Sequence, residues 1–267
     1  RLDLKNSQKE QLETNFNGCR LVYNLALETK IRSYKSIHKE NIDEYKMLKQ
    51  LTDLKQEATW LKQCSNICLQ QSIFNLYDGF DKFFKKQTNY PKFKKKTAKQ
   101  SIKYNKDVKV DLTNHKIKLP KIGWINFHRH QYFKGNIKSI TVSKNKCGMY
   151  FASILVDTNI KPLPAPTNSV IGVDVGLTNF ITISDGNKIS NPKHLNKSID
   201  KLKYLQRKLS KKIKNSTRYC KLKLRIAKCH YKTSNQRKDF IHKQSKTLID
   251  NNQVICVETL KSKNMMK

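Results

Sequence analysis

Acidic residues are scarce in most of this chain. Of 267 residues only 20 are Asp or Glu, against 55 Lys or Arg, which leaves a formal charge of +35. The deficit is uneven: residues 1–84 carry 13 basic and 11 acidic side chains, residues 85–267 carry 42 and 9. A codon bias would raise lysine everywhere and would not strip acids from one part alone. Like charges at this density repel unless counterions or phosphates neutralise them. The asymmetry therefore points to a polyanion facing residues 85–267, nucleic acid ahead of an anionic membrane or a ribosomal-type scaffold, with binding that weakens steeply in salt. Long hydrophobic runs are missing. No stretch approaches the roughly 18 uncharged apolar residues that span a bilayer, and no signal-like apolar run lies near the start, so a membrane partner and secretion have no support. The seven cysteines show no CxxC spacing, which leaves no zinc ligand set and suits reduced thiols in a cytoplasmic protein. With eight glycines and no phosphate-loop pattern, an ATPase or kinase reading fails. GxSxG and HExxH are absent, and His128 and His130 have no acid beside them.

What is present divides the chain into four. Residues 1–90 read as a helical region. Ser7 and Glu10 fit a capping box, Asn17-Gly18 breaks the pattern into a helical hairpin over 7–36, and 53–86 reads as two further helices with Trp60 and Leu61 closing the first and Ser65 capping the second. The apolar stripe Ile73, Phe74, Leu76, Tyr77, Phe80 and Phe84 predicts core packing. Residues 91–160 read as short strands: Val108, Val110 and Leu112 alternate, as do Ile117 and Leu119, and Asn145–Gly148 forms a hairpin turn between two β-rich runs. The pattern suits a small β-barrel of oligonucleotide-binding type. Just ahead of these strands, residues 85–103 hold eight lysines and no acid. Lys94, Lys95 and Lys96 interleave with aromatics, as in phosphate-holding and base-stacking surfaces, although a solvated loop reads equally well. Residues 161–169, KPLPAPTNS, form a stiff linker. From 170 to 267 the chain reads as strand, strand, short strand, a long basic helical region over about 196–248, and a final strand Val254–Val257. Residues 188–247 hold 20 basic side chains and two acids. Leu202, Leu205, Leu209, Leu222 and Leu224 give this region a buried side, and its lysines, Lys211 and Lys212 among them, give a face for a duplex backbone. Arg237 and Lys238, just before Phe240, are candidates for backbone contacts or plain solvated charges.

Two carboxylates carry the sharpest chemistry. Asp174 ends the apolar strand Val170–Val175, and Glu258 follows Val254–Val257. Side chains alternate along a strand, so Asp174 shares a face with Val170 and Gly172, and Glu258 shares one with Val254 and Cys256. If the two strands are neighbours, both acids aim at one spot, where hard oxygen ligands would hold Mg²⁺ against substrate phosphates. The plainer alternative is that one or both merely cap a strand or pair with a lysine.

The segments IGVDVGLTNFITISDG (171–186), ISNPKHL (189–195), KLKYLQRKLSKK (201–212), NQRKDFIHK (235–243) and VICVETLKSKNMMK (254–267) resemble the RuvC-like nuclease domain of the TnpB/OrfB family. These are insertion-sequence-encoded RNA-guided DNA endonucleases, long called transposases. Upstream, NGCRLVYNLAL (17–27) is similar to the family's helix-turn-helix-like segment. LQQSIFNLYDGFDKFFKK (69–86) and PKFKKK (91–96) are similar to the end of its helical region, and HKIKLPKIGWINF (115–127) and GNIKSITVSKNKCGMYFASILVD (135–157) to its wedge domain. The resemblance implies an α+β, multi-domain fold: a helical region before a small wedge-type β-barrel, then an incomplete RuvC/RNase H-like α/β domain with a basic helical insertion. It implies Asp174 and Glu258 as catalytic acids binding Mg²⁺, and guide RNA and double-stranded DNA as partners. It also implies a third acid and a zinc ribbon beyond the last residue. The chain, opening on Arg1 rather than Met, therefore reads as a truncated or decayed copy or part of a longer protein, with impaired cleavage. A catalytically inactive nucleic-acid-binding protein or transposition regulator is the alternative.

Overall fold

The structure, a computed structural model, describes residues 1–36, 41–128, 132–158 and 169–259. The chain divides into two compact units, Arg1–Asn159 and Ile160–Lys267.

The first unit opens with strand β1 (Leu2–Asp3) and helix α1 (Asn6–Lys35). The expected hairpin is absent: α1 runs unbroken for 30 residues. Gly18 sits in its interior because a Cβ there would meet Cys64 Sγ at 2.6 Å. The glycine therefore marks a close approach between elements, and the packing gained there offsets its roughly 1 kcal/mol helix penalty. The start also differs from the Ser7–Glu10 box. Lys5 is the N-cap residue, and its N–H donates to Gln8 Oε1 at 3.1 Å. Helix α2 (Glu44–Glu57) begins on the side chain of Asp43, which accepts from Lys46 N at 2.7 Å. A 3-10 turn (Thr59–Gln63) leads into α3 (Asn66–Phe84), which does start after Ser65. The Ser65 hydroxyl makes no cap bond; instead its backbone N–H donates to the buried Asn15 Oδ1 at 3.0 Å. Asn15 Nδ2 in turn donates to Tyr104 OH at 3.3 Å, so one buried amide ties α1, α3 and the strand carrying Tyr104.

Strands β2 (Gln100–Tyr104), β3 (Lys109–Asp111), β4 (Lys116–Leu119), β5 (Gly123–Phe127), β6 (Asn136–Lys144) and β7 (Tyr150–Asp157) follow. They form two antiparallel sheets, β1-β5-β4-β3 and β2-β6-β7. Among the described residues these sheets do not close, which corrects the expected barrel. Their apolar residues Ile102, Tyr104, Ile117, Ile125, Ile140 and Val142 share one core with α1 and α3. The β6–β7 turn matches expectation, with Asn145 Oδ1 accepting from Cys147 N and Met149 N, and Gly148 at φ +77°.

The second unit is described by itself. Its strands are β8 (Val170–Val175), β9 (Asn179–Ile183), β10 (Lys188–Ser190) and β11 (Val254–Val257), in the order β10-β9-β8-β11. The basic region is two helices, α4 (Asn196–Ser210) and α5 (Thr217–Asn251). Ser216 caps α5 by accepting from Tyr219 N at 3.2 Å. Leu202 and Leu205 are buried as expected, whereas Leu224 is exposed. A small core of Ile171, Val173 and Ile181 backs the sheet. Strand β8 is thus buried by Ile171 and Val173 on one face, while Val170 and Asp174 on the other are exposed. The linker expected at 161–169 lies, Ser169 apart, outside the described residues.

Candidate functional site

Strands β8 and β11 are parallel neighbours, paired Val170 to Val254, Ile171 to Ile255, Gly172 to Cys256 and Val173 to Val257. Ser169 fixes this register: its carbonyl accepts from Gln253 N at 3.0 Å and Val254 N at 3.2 Å, and its hydroxyl donates to Asn252 Oδ1 at 2.8 Å. The paired register ends one position before Asp174 and Glu258. Ile171 and Val173 turn into the core, so alternation sends Asp174 to the other face. There it lies with the exposed Val170 and Val254. Both carboxylates are exposed, and neither makes an ion pair or hydrogen bond among the described residues. The two acids that sequence spacing singled out thus each directly follow the last paired residue of neighbouring strands. Two hard donors on adjacent strands suit Mg²⁺, which takes one or two carboxylates and completes its shell with water and substrate oxygens. Among the described residues no third His, Cys, Asp or Glu joins them in a metal-binding group.

The candidate cations fall in three places. In the first unit the lysines 94–96 lie between α3 and β2. Asn24 clamps the Lys94 backbone, donating to its carbonyl at 3.0 Å and accepting from its N–H at 2.8 Å. The Lys94 ammonium rests 3.7 Å from the centre of the Tyr23 ring, and the loss of water around it lowers its pKa. Lys94 therefore anchors the segment as a cation–π partner, while Lys95 and Lys96 remain exposed. The loop is gathered by Gln100, whose Nε2 donates to the carbonyls of Lys95, Lys96 and Ala98. Arg20, which sequence reasoning missed, donates to Gln100 Oε1 at 3.3 Å and lines a small hollow with Lys94, Lys95 and Lys99. Nothing in the helical pattern of α1 marks Arg20 as part of it.

In the second unit Lys211 and Lys212 are exposed where α4 gives way to α5. Only Thr233 of α5 is buried, so this helix, about 52 Å long at 1.5 Å per residue, is nearly all surface. Of its lysines only Lys243 and Lys246 carry ion pairs among the described residues, to Asp239 at 2.8 Å and Asp250 at 3.9 Å. Arg237 and Lys238 are exposed on the same helix. Arg237 borders a hollow of about 390 Å³ with Leu177, Phe180, Lys193, His194 and Phe240. Phe180 and Phe240 meet edge to face, 4.9 Å apart. The hollow opens at the turn after Asp174, where Asn191 Nδ2 donates to the Leu177 carbonyl at 3.0 Å. Lys193 and His194 are the further residues it adds, visible in sequence only as part of the Asn-Pro turn before α4.

A family model described as "Probable transposase" (OrfB type) matches residues 153–267, and a companion "Helix-turn-helix domain" model matches residues 1–40. An Escherichia coli K12 protein named "Putative RNA-guided DNA endonuclease InsQ" is 34% identical over 97% of this chain. A Streptomyces pristinaespiralis protein of the same description is 32% identical over 97% of it. In each case the chain spans 65% of the relative's length. A Mycobacterium tuberculosis relative, also named for RNA-guided DNA cleavage, is 23% identical over 78% of the chain.

Proposed function

The chain belongs to the OrfB family of transposases, and from that premise we propose that it binds a guide RNA and a double-stranded DNA target, with RuvC-type cleavage of the DNA resting on Asp174 and Glu258. The observation that supports this reading is the parallel β8–β11 register, whose last pair, Val173 with Val257, directly precedes the two acids. Their carboxylates would hold Mg²⁺, which when bound supplies positive charge to the oxygens of a phosphodiester under attack. The remaining work belongs to the cations. Lys211, Lys212, Arg237 and Lys238 engage backbone phosphates without reading sequence, and base pairing with the guide selects the target.

The test pairs cleavage with metal binding. DNA matched to a supplied guide RNA should be cut in Mg²⁺, and Asp174→Ala or Glu258→Gln should lower cutting by at least about 100-fold. Affinity for RNA and DNA should change less than about threefold, because neither acid contacts phosphate without the ion. Mn²⁺ binding followed by electron paramagnetic resonance should weaken in the same variants. Unchanged Mn²⁺ affinity in both would sink the carboxylate assignment whatever the cutting assay reads. The second reading, a non-cleaving nucleic-acid-binding protein, is favoured by the absence, among the described residues, of any group of three or more His, Cys, Asp or Glu that could hold a metal ion. Tight binding with no cutting under any metal would select it.

A further inference from the structure

The outer face of the β1-β5-β4-β3 sheet holds a large aromatic with no structural task. Along β4 and β5 burial alternates: Ile117, Leu119 and Ile125 are inside, while Lys116, Lys118, Trp124 and Asn126 face out. Trp124 is 47% exposed. Its carbonyl is tied to Gln8 Nε2 at 2.8 Å, so its backbone is held, yet among the described residues the indole has no hydrogen-bond partner, ring contact or covering cation.

The strand register sets what surrounds it. Lys118 lies directly across from Trp124, and Lys109 on β3 directly across from Lys118. Two lysines opposed on antiparallel strands repel and weaken the sheet. Neither makes an ion pair or hydrogen bond among the described residues. The acid in the neighbouring row, Asp111, is already engaged, accepting from Thr113 N, Asn114 N and Asn114 Nδ2 at 2.8–3.0 Å. Beside the row lies an open hollow of about 480 Å³, bordered by Lys109, Lys118, Pro120 and Lys121, with Asp107 at its rim. An uncovered indole in line with two unpaired cations, across three hydrogen-bonded strands, is the arrangement that stacks an unpaired base and holds the flanking phosphates. A duplex would hide its base faces from the ring.

We propose that Trp124, Lys118 and Lys109 form a stacking platform for a single-stranded segment of RNA. The proposal deepens the guide-RNA reading above and rests on it for the choice of RNA. The ring takes one base on its exposed face, and the two ammonium groups hold the adjacent phosphates.

The chain has two tryptophans, so Trp60→Phe leaves Trp124 as the only indole reporter. Titrating that variant with a ten-nucleotide uridine homopolymer should quench its fluorescence. Trp124→Ala should weaken binding roughly tenfold and Trp124→Phe by much less, as loss of one stacked base requires. Lys109→Glu with Lys118→Glu should flatten the dependence of log affinity on log salt by about 1.4, two phosphates' worth for a single strand. Circular dichroism and melting of each variant separate lost contact from lost fold, and the lysine pair, being exposed, reads the platform even if Trp124→Ala unfolds. Quenching absent while the RNA still binds, or affinity unchanged in Trp124→Ala and in the lysine pair, overturns the platform and leaves the wider nucleic-acid reading standing. Equal quenching by the thymidine deoxy-homopolymer overturns the assignment to RNA. No binding to any nucleic acid defeats the wider reading itself.

Discussion

Glu13 shows how a single acid survives in a chain so short of them. Its Oε1 accepts from Lys144 Nζ and Tyr150 OH, both at 2.7 Å, linking α1 to both strands of the β6–β7 hairpin. Partial burial pushes its pKa up, but the two hydrogen bonds and the nearby positive charges win, and the net shift is below the ordinary 4.5. A depressed carboxylate stabilises the fold above its unfolded pKa and loses that contribution as pH falls through the folded value. Glu13→Gln should therefore cost at most about 1 kcal/mol near neutrality, since the pair is partly exposed and screened. The gap from wild type should close as pH falls below about 4.5. Urea melts at pH 7 and pH 3.5 measure it; a gap that widens in acid would contradict the assignment. The same network raises the Tyr150 hydroxyl's pKa, through lost solvent first and the Glu13 carboxylate second.

At the scale of elements, the α4–α5 hairpin separates what its sequence made legible from what it did not. Leucine spacing marked Leu202 and Leu205 as buried, and they are. The spacing failed at Leu224 because α5, beyond its contacts with α4, has little of its own unit to pack against. A helix so uncovered and so basic keeps its lysines available. Lys211→Glu with Lys212→Glu should lower the salt slope of duplex binding by up to about 2, with no loss of helix by circular dichroism; an unchanged slope would remove this turn from the interface. Strands were legible where apolar residues alternate over several positions, as in β4, β6 and β8. Strands β2 and β5 were not legible; in β5 a single residue, Ile125, is buried. The unbroken α1 was not legible, since a glycine in a helix looks the same whether it ends the helix or admits a neighbouring thiol. The barrel was misjudged for a related reason. Alternation reports that a strand face is buried, not what buries it, and here both sheets share one core with the helices.

At the scale of the whole molecule, both units hold nucleic-acid candidates on separate cores, and no helix among the described residues is long and apolar enough to cross a membrane. The placement of Asp174 and Glu258 at matching strand ends was readable from sequence. The pairing of their two strands was not, because strands more than eighty residues apart leave no local mark of pairing. That separation has a kinetic consequence. Closing so long a loop carries an entropy cost before any contact repays it, and non-local parallel pairing forms slowly. On dilution from denaturant, far-ultraviolet ellipticity from α4 and α5 should recover first, and competence to bind Mn²⁺ should lag behind it. A partly refolded copy would then present its basic helices α4 and α5 before strand β11 has found its place beside β8.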